Sequence, residues 1–164
     1  SRLMLLLGKS ISKDTKLAEK KASGSFTKAE QEAMKERARE AKLEERRLKG
    51  ENLKAADLAD VLDKISKMAP ADREIAEGIH ALVAEVAPEL DAKTWYGMPA
   101  YGKDGKTICF FQDAGKFKAR YATLGFSDIA NLDDGAIWPS SYALVKLTPE
   151  VKKQIAELIK KAVR

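Results

Sequence analysis

From residue 57 to residue 86, apolar side chains recur every three or four positions. Leu58, Val61, Leu62, Ile65 and Met68 make one stripe, and Ile75, Ile79, Leu82, Val83 and Val86 make a second. That spacing is the 3.6-residue period of two short amphipathic helices. Pro70 interrupts the first. Pro88 ends the second, because the residue before a proline is pushed out of the α region. Each helix carries one apolar stripe, and each stripe needs another layer to cover it.

The period then changes. Residues 94–121, TWYGMPAYGKDGKTICFFQDAGKFKARY, hold one of the two tryptophans, three of the four tyrosines and the single cysteine. Residues 95–97 read as a short strand. Gly97-Met98-Pro99 then reads as an irregular bend, since proline cannot donate to a ladder and sits at edges or bends. Asp104-Gly105 between apolar runs signals a hairpin. TICFF, at 107–111, is apolar on both faces and predicts a central strand. Residues 116–121 alternate, with Phe117, Ala119 and Tyr121 on one side and Lys116, Lys118 and Arg120 on the other, which predicts a half-buried antiparallel strand. A long connection over 123–135 and a last strand over 142–147 follow.

Thr148-Pro149-Glu150 opens a final helix. The threonine caps, the proline suits the first helical position, and the glutamate favours the positive end of the helix dipole. Val151, Ile155, Leu158, Ile159, Ala162 and Val163 give that helix a broad apolar stripe. At the other end of the chain, Thr27 and Glu30 have the spacing of a capping box. The helix they introduce runs to Lys49 with little amphipathicity and many i,i+3 and i,i+4 charge pairs, so it can persist while exposed. Gly50-Glu51-Asn52 breaks it. The expected organisation is a flexible, truncated or vector-derived tail over 1–25, a charged helical arm over 26–56, and an α+β domain over 57–164. In that domain an antiparallel sheet is covered by the helix pair and the C-terminal helix.

Charge sharpens this division. The chain has 164 residues and a formal net charge of +5. Residues 1–56 carry +6 and residues 57–164 carry −1. A nucleic-acid-binding domain clusters its basic residues on a folded face, and here the basic excess lies in the arm. The single Cys109 excludes an intramolecular disulfide and suits a reducing, cytoplasmic setting. The apolar run at 3–7 is too short to span a membrane.

A helical hairpin, then TWYGMPAYGKDGKTICFFQ, then KARYATLGFSD with a tryptophan downstream, resembles the YdhG-like family of small bacterial domains of unknown function. Trp95, Tyr96, Gly97 and Pro99 match that family's aromatic–glycine–proline pattern, and the resemblance spans about residues 57–164. It implies an α+β domain with a helix-covered antiparallel sheet. Some members are described as frataxin-like iron chaperones, which implies Fe(II) as a cargo and an iron-accepting protein as a partner. No ligand set transfers residue by residue.

The residues themselves offer three candidate chemistries. Labile Fe(II) binding needs oxygen or imidazole ligands; Asp128, Asp133 and Asp134 lie in one stretch, and His80 lies on a helix. The competing readings are a turn for the aspartates, which lack the EF-hand pattern, and a boundary histidine with no metal role. Catalysis needs a nucleophile with an activating base. Cys109 sits mid-strand as a small apolar residue, and Ser140 and Ser141 lack nucleophile-elbow glycines. No phosphate loop or dinucleotide fingerprint occurs, so no catalysis is indicated. The third candidate is an apolar pocket for a small ligand, lined by Trp95, Tyr96, Met98, Pro99, Tyr101 and Trp138 with its mouth at the 97–99 bend. Its competing reading is plain core. The resulting expectation is a small binding or carrier domain. Its alternatives are frataxin-like iron delivery and an interaction module that uses the basic arm on nucleic acid or protein.

Overall fold

A computed structural model describes residues 26–164. The tail expected over 1–25, with its apolar run at 3–7, lies outside the described residues. Five helices and five strands follow in the order α1 (Lys28–Leu48), α2 (Lys54–Ser66), α3 (Pro70–Val86), β1 (Asp91–Trp95), β2 (Met98–Lys103), β3 (Lys106–Gln112), α4 (Ala114–Phe117), β4 (Ala122–Phe126), β5 (Ser141–Leu144) and α5 (Pro149–Ala162). The fold is α+β, with one antiparallel sheet in sequential order β1-β2-β3-β4-β5.

The described residues divide between two units, with the boundary between Arg39 and Glu40. In the first, the Thr27 hydroxyl accepts from the Glu30 backbone N–H at 3.1 Å, which is the expected cap of α1. The second unit begins inside α1. Residues 40–56, read from the sequence as part of the arm, therefore belong with the sheet. Glu40, Leu43 and Arg47 recur at helical spacing and each is engaged. The Glu40 carboxylate accepts from the backbone N–H groups of Tyr96 (3.0 Å) and Gly97 (2.9 Å). Leu43 is buried. Arg47 forms an ion pair with the buried Asp57 in the first turn of α2. Gly50, with φ of +87°, ends the helix in a conformation that glycine adopts without steric cost.

The β1–β2 connection differs from the expected bend. Tyr96 and Gly97 both have positive φ, +51° and +73°, and close a two-residue hairpin whose last pair is Trp95 with Met98. Such a hairpin hydrogen-bonds its closing pair, so the next pair, Thr94 with Pro99, is non-hydrogen-bonded. Pro99 thus needs no N–H toward β1. On its other side, the β2–β3 ladder starts only at Ala100 with Phe110. Proline is accommodated inside a strand because neither neighbour asks it to donate. The β2–β3 hairpin turns at Asp104-Gly105 as expected, again with both φ values positive. The register slips by one residue beside Gly102, where β3 bulges.

The expected strand over 116–121 is absent. Asp113 caps the single turn α4 by accepting from Lys116 N–H at 3.0 Å. The buried Asp72 of α3 accepts from Ala114 and Gly115 N–H at 3.2 and 2.9 Å. Carboxylates thus fix the two residues before the expected strand and take the amide of its first residue, Lys116, and Phe117 and Tyr121 stay exposed. The fourth strand is β4 instead. It occupies the start of what the sequence suggested was a connection over 123–135.

The core lies between one sheet face and α2, α3 and α5. Val61, Ile65, Ile79, Val83, Ile155 and Ile159 meet Tyr101, Cys109, Phe111, Leu124 and Leu144 there. Strand β3 is central and Cys109 is fully buried, as its sequence predicts. Leu58 and Leu62, counted in the stripe of α2, are 39% and 48% exposed. The buried face of α2 runs instead through Asp57, Val61 and Ile65.

Candidate functional site

The six residues proposed as one pocket do not share a wall. Side chains alternate across a strand, so Met98 and Pro99 are buried on opposite faces of β2. Tyr101 shares the helix-covered face with Pro99. Trp95 packs edge-on to Tyr96 at 4.9 Å and against Phe110 at 5.3 Å, on the other face. Phe110 lies flat over Gly125, where a Cβ would fall 2.2 Å from its ring. Trp138 stands apart in the 127–140 connection. It lines a hollow of about 480 Å³ with Phe126, Asp128 and Ile137.

The metal candidates do not assemble either. Asp128, Asp133 and Asp134 are exposed. Among the described residues, no three His, Cys, Asp or Glu side chains come together where they could hold an ion.

His80 faces the sheet and its Nδ1 is 2.9 Å from the Tyr101 hydroxyl. Burial lowers the His80 pKa and raises that of Tyr101. Both rings are therefore neutral at pH 7, joined by one hydrogen bond inside the helix–sheet layer. Burial also pushes the Cys109 thiol up to about 12, which suppresses the nucleophilic thiolate. Because folded His80 takes up a proton less readily than the unfolded imidazole near 6.5, the unfolded state binds more protons once the pH falls below that value. Stability is full above it and declines as the pH drops through it. The unfolding midpoint is expected to fall between pH 7 and 5, and to fall less in His80→Gln. Equal slopes in both proteins would disprove this.

A different concave surface emerges at the far edge of the sheet. Thr148 accepts from Val151 N–H at 3.2 Å and starts α5. Ile155, Ile159 and Ala162 anchor that helix in the core. Its stripe is wider than this contact, and Val151 and Leu158 are left half-covered. Together with Tyr142 and Leu144 of β5 they line a mainly apolar groove of about 770 Å³. Glu150, Lys153, Glu157, Lys161 and Arg164 form its rim. Groove residues were not singled out from the sequence. Their signal was the six-position stripe of α5, broader than one sheet face can bury.

Two other surfaces are less enclosed or more polar. Of the expected basic row Lys116, Lys118 and Arg120, Lys116 lies over Phe117 at 5.6 Å on α4 and Arg120 over Tyr121 at 5.2 Å in the loop after it, and both are exposed. A hollow of about 420 Å³ bounded by Arg47, Asp57, Lys93 and Lys106 is lined chiefly by charged and polar residues. No helix among the described residues is long and apolar enough to cross a membrane. Compared with models of known protein families, with curated proteins and with solved structures, the chain matches none.

Proposed function

We propose that this chain is a small binding domain without a catalytic centre, and that its binding surface is the groove between β5 and α5. The observation that carries this reading is the half-covered apolar stripe of α5 beside a sheet edge that no other described strand pairs. Apolar surface left between two rigid elements and ringed by charges is the usual form of a site for an apolar or amphipathic partner. The groove is larger than the hollows at Trp138 and at Arg47. The binding or carrier class expected from the sequence is kept, and its site moves from the Trp95–Pro99 region to the opposite edge.

The test is a titration of dilute protein with 1-anilinonaphthalene-8-sulfonate, an apolar anion suited to Val151 and Leu158 beside Lys161 and Arg164. Amide shifts are expected to cluster on residues 142–144 and 151–158, and Leu158→Lys is expected to abolish them. Shifts that cluster instead around Trp95 and Phe110, or around Trp138, would move the site and overturn the reading.

A further inference from the structure

The two edges of the sheet are built differently. Edge strand β1 carries Asp91 and Lys93, and both are engaged: Lys54 pairs with Asp91 at 3.6 Å, and Lys93 Nζ donates to the Gly105 carbonyl at 3.3 Å. Charges on an edge oppose pairing with another strand. Edge strand β5 is Ser141-Tyr142-Ala143-Leu144 and carries none.

The backbone groups of β5 that pair with no other described strand can be assigned. Phe126 N–H donates to the Ser140 carbonyl at 2.8 Å, one step beyond the Gly125–Ser141 pair. In an antiparallel ladder the bonded positions alternate. Ser140, Tyr142 and Leu144 therefore direct their N–H and C=O groups to β4, and Ser141 and Ala143 direct theirs to the open edge. The side chains at these two positions are small and exposed, so a second strand can approach.

The charges beside that edge have an order. On α5, Glu150, Gln154, Glu157, Lys161 and Arg164 follow one another at i,i+3 and i,i+4 spacing along the groove, acid first and base last, with Lys153 beside Gln154 on the rim. A parallel neighbour would set like against like. An antiparallel copy of the same helix sets Glu150 opposite Lys161, and Gln154 opposite Glu157.

We infer that the groove is filled by a second copy of this chain, with β5 pairing antiparallel to its counterpart and α5 lying antiparallel to its counterpart across a two-fold axis normal to the sheet. The inference rests on the groove being the binding surface, and it names the partner. The symmetry is self-consistent. A two-fold axis normal to the sheet generates antiparallel strand pairing, keeps both helix layers on one side, and brings the two α5 helices together antiparallel. The Val151 and Leu158 faces of the two copies then cover each other.

Sedimentation equilibrium of the full chain tests this. A reversible dimer is expected. Ala143→Pro is expected to be monomeric with an unchanged circular-dichroism spectrum, because the Ala143 N–H serves only the free edge and proline is tolerated there. Glu150→Lys is expected to weaken association about ten-fold, and Glu150→Lys combined with Lys161→Glu to restore it. This charge exchange decides the matter if Ala143→Pro does not fold. The anilinonaphthalene sulfonate titration is expected to be tighter for Ala143→Pro than for the parent protein, whose groove the second copy competes for. A parent protein that stays monomeric at its highest soluble concentration overturns the inference. So does a dimer indifferent to both the proline and the charge variants. If the probe still shifts residues 142–144 and 151–158 of a monomer, the groove remains the binding surface with a different occupant. If it shifts neither stretch, both readings fall.

Discussion

Replacing Phe111 by alanine is expected to destabilise the protein by about 3–5 kcal/mol, the usual cost of removing a fully buried phenylalanine ring. Phe111 is 1% exposed and sits on the central strand, on the face that α2, α3 and α5 cover. Its ring lies where the helix layer and the sheet meet, so few neighbours can move in without giving up their own contacts. For a protein of this size the loss corresponds to a fall in Tm on the order of 10 °C. Leu48→Ala is the control: Leu48 is 81% exposed, and its change should stay within about 0.5 kcal/mol. Urea unfolding of both variants checks this. Losses of similar size would show that Phe111 is not a core residue.

A single methyl group at Gly102 is expected to cost about 3 kcal/mol. A Cβ built there falls 2.1 Å from the Lys106 carbonyl oxygen and 2.8 Å from its carbon. Those are backbone atoms of the facing strand, so no rotamer change can relieve the overlap. The β2–β3 hairpin would have to open at its bulge. Gly105, three residues on, provides the contrast. Nothing lies within 4 Å of a Cβ there, but φ is +77°. Gly105→Ala should therefore cost only the strain of the left-handed region, about 1 kcal/mol. Unfolding midpoints that rank Gly105→Ala as the more harmful of the two would contradict the bulge.

Much of the fold was legible because several local signals agreed. The stripes of α3 and α5, the Thr148 cap, the Asp104-Gly105 turn and the two-sided apolar run of β3 all express residues within a few positions of one another. The failures have two causes, a partner distant in sequence and a strand read as a bend. The alternation at 116–121 imitates a strand, and what overrides it is Asp113, which takes the Lys116 amide, together with Asp72, more than forty residues earlier, which holds the amides of Ala114 and Gly115 just before it. Pro99 argues against a strand until its pairing parity is known, and parity depends on where the Tyr96-Gly97 turn falls. The aromatic pocket fell with that misread bend. Met98 and Pro99 are neighbours on a strand, so their side chains cannot line one wall. The groove of α5 was half legible, since the width of its stripe announced surplus apolar surface but not which edge would receive it.

The contact between Glu40 and the β1–β2 turn spans 57 residues. That separation bears on the order in which the protein assembles. The β2–β3 hairpin closes on an Asp-Gly pair that favours its turn locally, so it can form without help. Tyr96 must instead enter the left-handed region, which costs a side-chain-bearing residue about 1–2 kcal/mol, and what repays it is a carboxylate on a helix that has to arrive from far along the chain. Closing so long a loop is slow relative to closing a hairpin. Strand β1 and the second half of α1 are therefore expected to join the structure together and late, after the β2–β3 hairpin. The same two segments are expected to open first, which faster amide exchange at residues 40–48 and 91–95 than at 106–112 would show.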